Sequence, residues 1–200
     1  MFPEITRDDV FRLETERLWL RWPRAADAEE IRQHVGDPDV ALMTASIPHP
    51  YAPHDADAFI ASVRAENGAG GGLHLVITPK NRPNEPIGLV SLHGADRRGS
   101  ATLGYWLGKP YWGQGYTTEA ARALIDLAFG ITSLDRIVSA ARPDNRSSLH
   151  VHEKLGFHRT GRGMRPAPAR GGEMEVELFE LKRGEAHTLF GARRPRFFSP

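Results

Sequence analysis

Residues Gly104–Glu119 read GYWLGKPYWGQGYTTE: an apolar run, a turn holding Gly108, Pro110, Gly113 and Gly115, and then at once the start of a helix. Glycines let the main chain take positive φ and approach a ligand closely. The first turn of a helix offers N–H groups without intrahelical partners and the positive end of the helix dipole. A strand, a glycine turn and a helix N-terminus in that order hold phosphate whatever the side chains are. Two common nucleotide devices fail on residues. A P-loop needs Lys followed by Ser or Thr, whereas Tyr116 follows Gly115; a dinucleotide fingerprint needs glycine where Thr118 stands.

Upstream of this stretch the pattern has period two. Leu73–Thr78, Ile87–His93 and Ser100–Leu107 read as successive strands, and their separators, PKNRPNEP and GADRRG, are rich in turn residues. An antiparallel meander is the natural topology. Leu13–Trp22 alternates and is expected to be one earlier strand, with helices over Asp27–Val35 and Asp55–Asn67. Downstream, Thr117–Phe129 is an amphipathic helix, Arg136–Ala141 a short strand and Ser147–Leu155 a short helix closed by Gly156. Met174–Leu181 is a last strand, with Met174, Val176 and Leu178 on one face and Glu173, Glu175 and Glu177 on the other. The expected fold is α/β (α+β): a mixed, mostly antiparallel central sheet with helices on both faces. It forms a single domain over residues 1–183, followed by a tail, 184–200, without clear periodicity. The ARRPR segment of that tail is a candidate contact for an acidic partner, though a frayed or locally packed tail is the preferred reading.

The composition excludes several classes. Two hundred residues, 40% hydrophobic and 26% charged, suit one soluble domain. Twenty-six basic against 25 acidic side chains give a net charge of +1, so no broad field points to nucleic acid or to a membrane surface. With no cysteine, a disulfide framework, a thiolate metal site and a cysteine nucleophile are ruled out. The N-terminal MFPEITRDDVF carries acids where a signal peptide has a basic flank and an apolar run, and no stretch of about 18 apolar residues occurs. A cytoplasmic location is expected. His150 and His152 stand two apart on a helix and so point different ways, and no acid completes a site at metal spacing; no metal is expected.

The stretch GYWLGKPYWGQGYTTEA resembles the acetyl-CoA motif of the GNAT N-acetyltransferase superfamily, Q/R-x-x-G-x-G/A. Its aromatic form, with Trp112 at the first position and Thr117 at the last, is similar to the RimJ/RimL-like branch that acetylates ribosomal proteins. A second segment, Pro143–Phe157 (PDNRSSLHVHEKLGF), resembles the family's N-x-x-S-x-x-x-x-x-K-x-G-F, with Asn145, Ser148, Lys154, Gly156 and Phe157 in register. Read without the family, Asn145 is a good helix N-cap with Ser148 at the third helical position. Asn145, Ser148, His152 and Leu155 fall along one helical stripe, a mostly polar one suited to a pocket edge. The likeness spans about Leu13–Lys182.

What the resemblance implies is direct attack of a primary amine on the acetyl thioester of acetyl-CoA, in a V-shaped cleft where the fourth and fifth strands, Ser100–Leu107 and Arg136–Ala141, splay apart. Pantetheine would lie along the backbone of Tyr105, Trp106 and Leu107, with an N–H there holding the thioester oxygen. The pyrophosphate would sit on the turn Trp112, Gly113, Gln114, Gly115, Tyr116, Thr117 and Thr118, and Asn145 and Ser148 would border the cofactor. Ser148 is the first choice for assisting the departing thiolate, and His152 the second, in the position where many relatives carry tyrosine. Glu175 is the candidate general base. Met43–His54 and Gly161–Gly172, both expected to be irregular, are the candidate acceptor loops. An α-amine with pKa about 8 needs less help to deprotonate than lysine near 10.4, so a protein N-terminus is the favoured acceptor. A small-molecule (antibiotic or polyamine) acetyltransferase and a non-catalytic acyl-CoA-binding regulator are the alternatives, as a monomer or a homodimer.

Overall fold

The computed structural model describes residues 2–96, 99–190 and 196–198. In chain order the elements are β1 (Arg12–Glu14), β2 (Leu18–Arg21), α1 (Ala28–Val35), α2 (Pro38–Ala41), α3 (Pro53–Ala69), β3 (Leu73–Pro79), β4 (Gly88–His93) and β5 (Ser100–Leu107). There follow α4 (Tyr116–Ile131), β6 (Arg136–Ala141), α5 (Arg146–Lys154), β7 (His158–Ala167), β8 (Gly172–Lys182), α6 (Arg183–Phe190) and β9 (Arg196–Phe198). The strands form one sheet in the order β7-β8-β6-β5-β4-β3-β2-β1-β9. Every pairing is antiparallel except β5 with β6.

Alternation along the strands divides the side chains between two layers. Val76, Leu89 and Trp106 meet Ile31, Val35, Val40, Ala56 and Ile60 of α1, α2 and α3. Leu75, Val90 and Leu103 face the other way, against Ala120, Leu124 and Ala128 of α4. Burying both faces is what turns the meander strands into nearly continuous apolar runs.

The expected first strand is a hairpin. Thr15 closes it: its N–H donates to the Leu18 carbonyl (3.0 Å) and its Oγ1 accepts the Leu18 N–H (3.0 Å). Glu119 of α4 then takes the Arg17 N–H (2.8 Å) and the Thr15 hydroxyl (2.6 Å). Antiparallel pairing sets Leu13 opposite Leu20 on one face of the sheet. The second correction concerns Gly161–Gly172, expected to be irregular. Most of it is β7, a strand exposed along most of its length that pairs, among the described residues, only with β8. An edge strand with solvent on both faces has no apolar alternation to reveal it.

The described part of the tail is packed locally. Its first part is α6, which sends Ala186 into the core, while Arg183 donates to the carbonyls of Phe129, Thr132 and Leu134. β9 pairs with β1. All but the last residue of the ARRPR segment lie outside the described residues. Near the N-terminus a buried bidentate pair joins Arg21 to Asp27 (2.7 and 2.8 Å), and the same carboxylate takes the Arg24 N–H (2.7 Å).

Candidate active site

The parallel pair β5–β6 holds register only over Ser100↔Arg136, Ala101↔Ile137 and Thr102↔Val138. Beyond Thr102, β5 runs on to Leu107 with β4 on one side, and β6 runs on to Ala141 paired with β8. From Leu103 onward the two facing edges have separated. Ser139 sits at the vertex and donates its hydroxyl to the Leu103 carbonyl (3.0 Å). This is the expected splay, and the cleft it opens has a volume of about 1350 Å3. Tyr105, Trp106 and Leu107 line it, so an extended ligand can lie along their main chain as an extra strand.

At one end the cleft reaches the glycine turn. Gly113 and Gly115 have φ of 75° and 80°, the left-handed region that favours glycine, and Gly115 is the N-cap of α4. A Cβ at Gly113 would meet nothing within 4 Å, so backbone conformation and not crowding requires glycine there. Trp112, Gly113, Gly115, Tyr116, Thr117 and Thr118 line the cleft. The amides of the first helical turn point out of the helix end and have no partner within it. Trp112 is 41% exposed and donates its ring N–H to the Leu107 carbonyl (2.7 Å), tying the turn to the end of β5. Gln114 does not line the cleft: its amide donates to the Pro110 carbonyl (3.2 Å) and its own carbonyl receives Arg17 (2.9 Å).

Opposite the open edge of β5 stands the N-terminus of α5. Asn145 caps it, accepting the Ser148 N–H (3.1 Å), and both residues line the cleft. The Ser148 hydroxyl lies 2.8 Å from the Tyr105 hydroxyl, across the splay. Burial pushes the Tyr105 phenol up to about 12, so it stays protonated across the neutral range. The sequence pointed to Tyr105 only for its backbone. The pairing of its side chain with Ser148 joins residues 43 apart and needs the fold to be seen.

Two expected catalytic side chains are placed elsewhere. His152 is fully buried, stacked on Phe179 with centroids 4.3 Å apart, and does not line the cleft. Its Nδ1 lies 2.8 Å from the Ser148 carbonyl, an acceptor, so Nδ1 carries the proton. Nε2 is then a lone pair, buried and without a partner. Burial lowers the imidazole pKa to about 4, so at neutral pH it has no acidic proton to give to a thiolate. Glu175 is exposed and also lies off the cleft, because Met174 and Val176 occupy the cleft face of β8 and the glutamates point the other way. On that far face Glu177 is 5% exposed and held by Arg159 and Arg162.

The half of the cleft away from the glycine turn lies between the segment after α2 and the β7–β8 hairpin. Met43, from the first expected acceptor loop, and Arg165, from the second, both line it. Arg170 ties the two sides together by donating to the carbonyls of Ala41, Thr44 and Ile47. Further in, on the α3 side of the sheet, Glu66, His74, Ser91 and His93 form a polar cluster that nothing in the sequence pattern announced. Among the described residues no group of three histidines, aspartates or glutamates is placed to hold a metal ion, and no helix is long and apolar enough to cross a membrane.

Comparison with known proteins decides the family. Residues 17–158 match the acetyltransferase (GNAT) domain. The chain is also 30% identical to the N-acetyltransferase p20 of Bacillus licheniformis over 174 residues, 86% of this chain and 97% of that protein. This chain belongs to the GNAT acetyltransferase family. It is an N-acetyltransferase, and acetyl-CoA is its cosubstrate. The fold is shared with ribosomal-protein-S5-alanine acetyltransferase from Vibrio fischeri: TM-score 0.73, 23% identity, 86% of this chain and 96% of that one. It is shared equally with RimJ of Mycobacterium smegmatis in complex with CoA-disulfide: TM-score 0.73, 24% identity, 92% and 94% coverage.

Proposed function

We propose that this GNAT enzyme acetylates an α-amine, most suitably a peptide N-terminus, by direct attack on acetyl-CoA, with the cofactor laid from the glycine turn to the vertex of the splay. The observation that carries the reading is the continuity of the cleft. One channel runs from the amides of Gly113–Thr118, past the open edge of β5 and the Ser148 hydroxyl, to an acceptor half lined by Asp55 and Glu66. Acids at that end favour a cationic amine, and the neighbouring Met43, Tyr51 and Phe59 offer apolar surface to whatever carries it. The V. fischeri protein is named for an alanine of a ribosomal protein, which supports the same class of acceptor.

In this reading the amine nitrogen forms its bond to the acetyl carbon while the C–S bond breaks, and a β5 amide holds the carbonyl oxygen as negative charge grows on it. The sulfur leaves beside Ser148. A thiol with pKa near 8.5 is far more acidic than a phenol at about 12, so the Tyr105–Ser148 pair steadies the thiolate by hydrogen bonding instead of surrendering a proton outright. Every group invoked comes from one chain, so the proposal holds for a monomer or a homodimer. A net charge of +1 supports leaving nucleic acid out of it. The cytoplasmic setting expected from the sequence belongs to the same proposal.

Thiol release from acetyl-CoA across a panel of peptides with free α-amines, peptides with only a lysine amine, and small amines tests the acceptor. The α-amine peptides should give the highest kcat/KM. Exclusive acetylation of lysine side chains, or turnover confined to polyamines or aminoglycosides, would refute the reading.

A further inference from the structure

The amine that enters the cleft is an ammonium ion at neutral pH, and Glu175, the base expected from the sequence, lies off the cleft. The acceptor half contains another set of titratable groups, contributed by three elements. His74 on β3 and His93 on β4 stack with ring centroids 5.7 Å apart and planes inclined by 15°. His74 Nε2 lies 3.0 Å from Glu66 Oε2 on α3, and His93 Nδ1 lies 3.3 Å from the Ser91 hydroxyl, which also reaches the Gly104 carbonyl (3.4 Å). All four residues line the cleft.

Two glycines make the cluster possible. A Cβ on Gly104 would stand 3.1 Å from Ser91 Oγ and 3.3 Å from His93 Cε1. His93 therefore lies directly against β5, inside the splayed stretch whose main chain faces the cofactor. A Cβ on Gly72 would come within 2.7 Å of Glu66 Oε1 and 2.9 Å of His74 Nε2. Side chains at these two positions would push the cluster apart.

We propose that His93 is the general base that takes a proton from the acceptor ammonium, with Ser91 orienting its ring and the His74–Glu66 pair supporting the charge it gains. This deepens the N-acetyltransferase reading and rests on it. With the Ser91 hydroxyl donating to the Gly104 carbonyl, its oxygen receives the Nδ1 proton of His93 and Nε2 is the imine nitrogen. The step balances: R–NH3+ and neutral imidazole become R–NH2 and imidazolium. The amine lone pair then forms the N–C bond, and the electron pair of the broken C–S bond leaves on sulfur. His93 is the catalytic residue; Ser91, His74 and Glu66 are positioning residues that act through it. The groups facing His93 are Glu66 from α3 and His74 from β3, while Thr102 and Gly104, on the same face of β5, are uncharged; Asp96, in the turn beyond, is engaged by the Ser100 N–H (2.9 Å). Burial lowers the pKa of both histidines and the Glu66 carboxylate opposes that shift, which keeps His93 unprotonated at neutral pH and ready to accept.

The test is kcat/KM for thiol release from acetyl-CoA, from about pH 6 to about pH 10, with a short alanine-starting peptide amide and with hydroxylamine, which is neutral at pH 7. His93→Gln should lose about 10²–10⁴-fold with the peptide near neutral pH. The loss should shrink above the amine's own pKa of about 8, and near neutral pH it should be smaller with hydroxylamine. Glu66→Gln should move the acidic limb of the profile to lower pH. Profiles for His93→Gln that parallel the wild type with both acceptors would overturn the proposal. Should the protein bind acetyl-CoA in calorimetry and yet release no thiol above the uncatalysed rate with either acceptor, the α-amine reading fails by itself. The base is then read by NMR: the His93 Cε1–H titration midpoint in the CoA complex should fall when alaninamide is added, and an unmoved midpoint overturns the assignment.

Discussion

Replacing His152 by phenylalanine separates a core role from a chemical one. The ring is fully buried against Phe157 and Phe179, and its Nε2 has no partner. Phenylalanine keeps the stack, removes the orphaned nitrogen and gives up one hydrogen bond to the Ser148 carbonyl, so stability near pH 7.5 should change by no more than about 1 kcal/mol. The large effect is in the pH dependence. The folded-state pKa is about 4 against an ordinary 6.5, so the unfolded chain binds a proton that the folded chain refuses. Above pH 6.5 both states are neutral and the group is silent. As pH falls through that value the unfolded state gains a proton first, and stability is lost until the folded pKa is passed. Linkage puts the loss at about 2 kcal/mol by pH 5 and about 3 kcal/mol in full. Urea unfolding of wild type and His152→Phe at pH 7.5 and pH 5 measures this, with carboxylates and the other histidines cancelling in the comparison. The variant should lose about 2 kcal/mol less on acidification and should acetylate at a rate close to wild type. Equal acid sensitivity in the two proteins, or a variant that folds but fails to turn over, would refute the core reading.

Gly115→Glu places a side chain at φ 80° and a negative charge in the turn, with only Arg17 near its Cβ, at 3.5 Å. The protein should still fold, and calorimetry should show acetyl-CoA binding weakened by more than about tenfold, or 1.4 kcal/mol. Ser148→Ala removes the donor closest to the leaving sulfur and should lower kcat about 10²-fold with acetyl-CoA affinity kept, while Tyr105→Phe should cost less; stopped-flow thiol release reports both. Asp27→Ala leaves the Arg21 guanidinium buried without its carboxylate, and chemical denaturation should show a loss of about 3–5 kcal/mol.

The parts of the site that were legible in sequence are those built from local main chain. A glycine turn entering a helix, and an Asn145 cap whose acceptor is three residues away, are decided within a few residues, and the structure has both. β5 and β6 have the bounds expected from sequence, Ser100–Leu107 and Arg136–Ala141, each a short run flanked by turn residues or a helix. What depends on distant partners stayed hidden. β7 is a strand because β8 lies beside it, and the β1–β2 hairpin is held from α4 by Glu119. The alternation of β8 is the expected one, but nothing in the sequence says which of its faces meets the cleft; Met174 and Val176 are on that face and Glu175, proposed as base on the family resemblance, is on the other. His152 reads in sequence as a polar pocket residue, whereas Phe179, 27 positions later in the chain, stacks on it in the core. The His74–His93 pair was missed for the same reason: two lone histidines on separate strands carry no spacing signal.

The half of this cleft proposed for the cofactor is written almost entirely in peptide groups. An open strand edge and a helix end present the same N–H and C=O atoms whatever residues carry them, provided glycine occupies the two left-handed positions. Substitutions can therefore accumulate along β5 and α4 without erasing the donor site. The acceptor half is built the opposite way, from side chains such as Met43, Tyr51, Phe59 and Arg165, each a single codon change from a different preference. A protein made like this can hold its chemistry fixed while its clientele drifts. The surface between the α2 segment and the β7–β8 hairpin is accordingly where a change of acceptor would be written first, and where selection for a new one would find the least resistance.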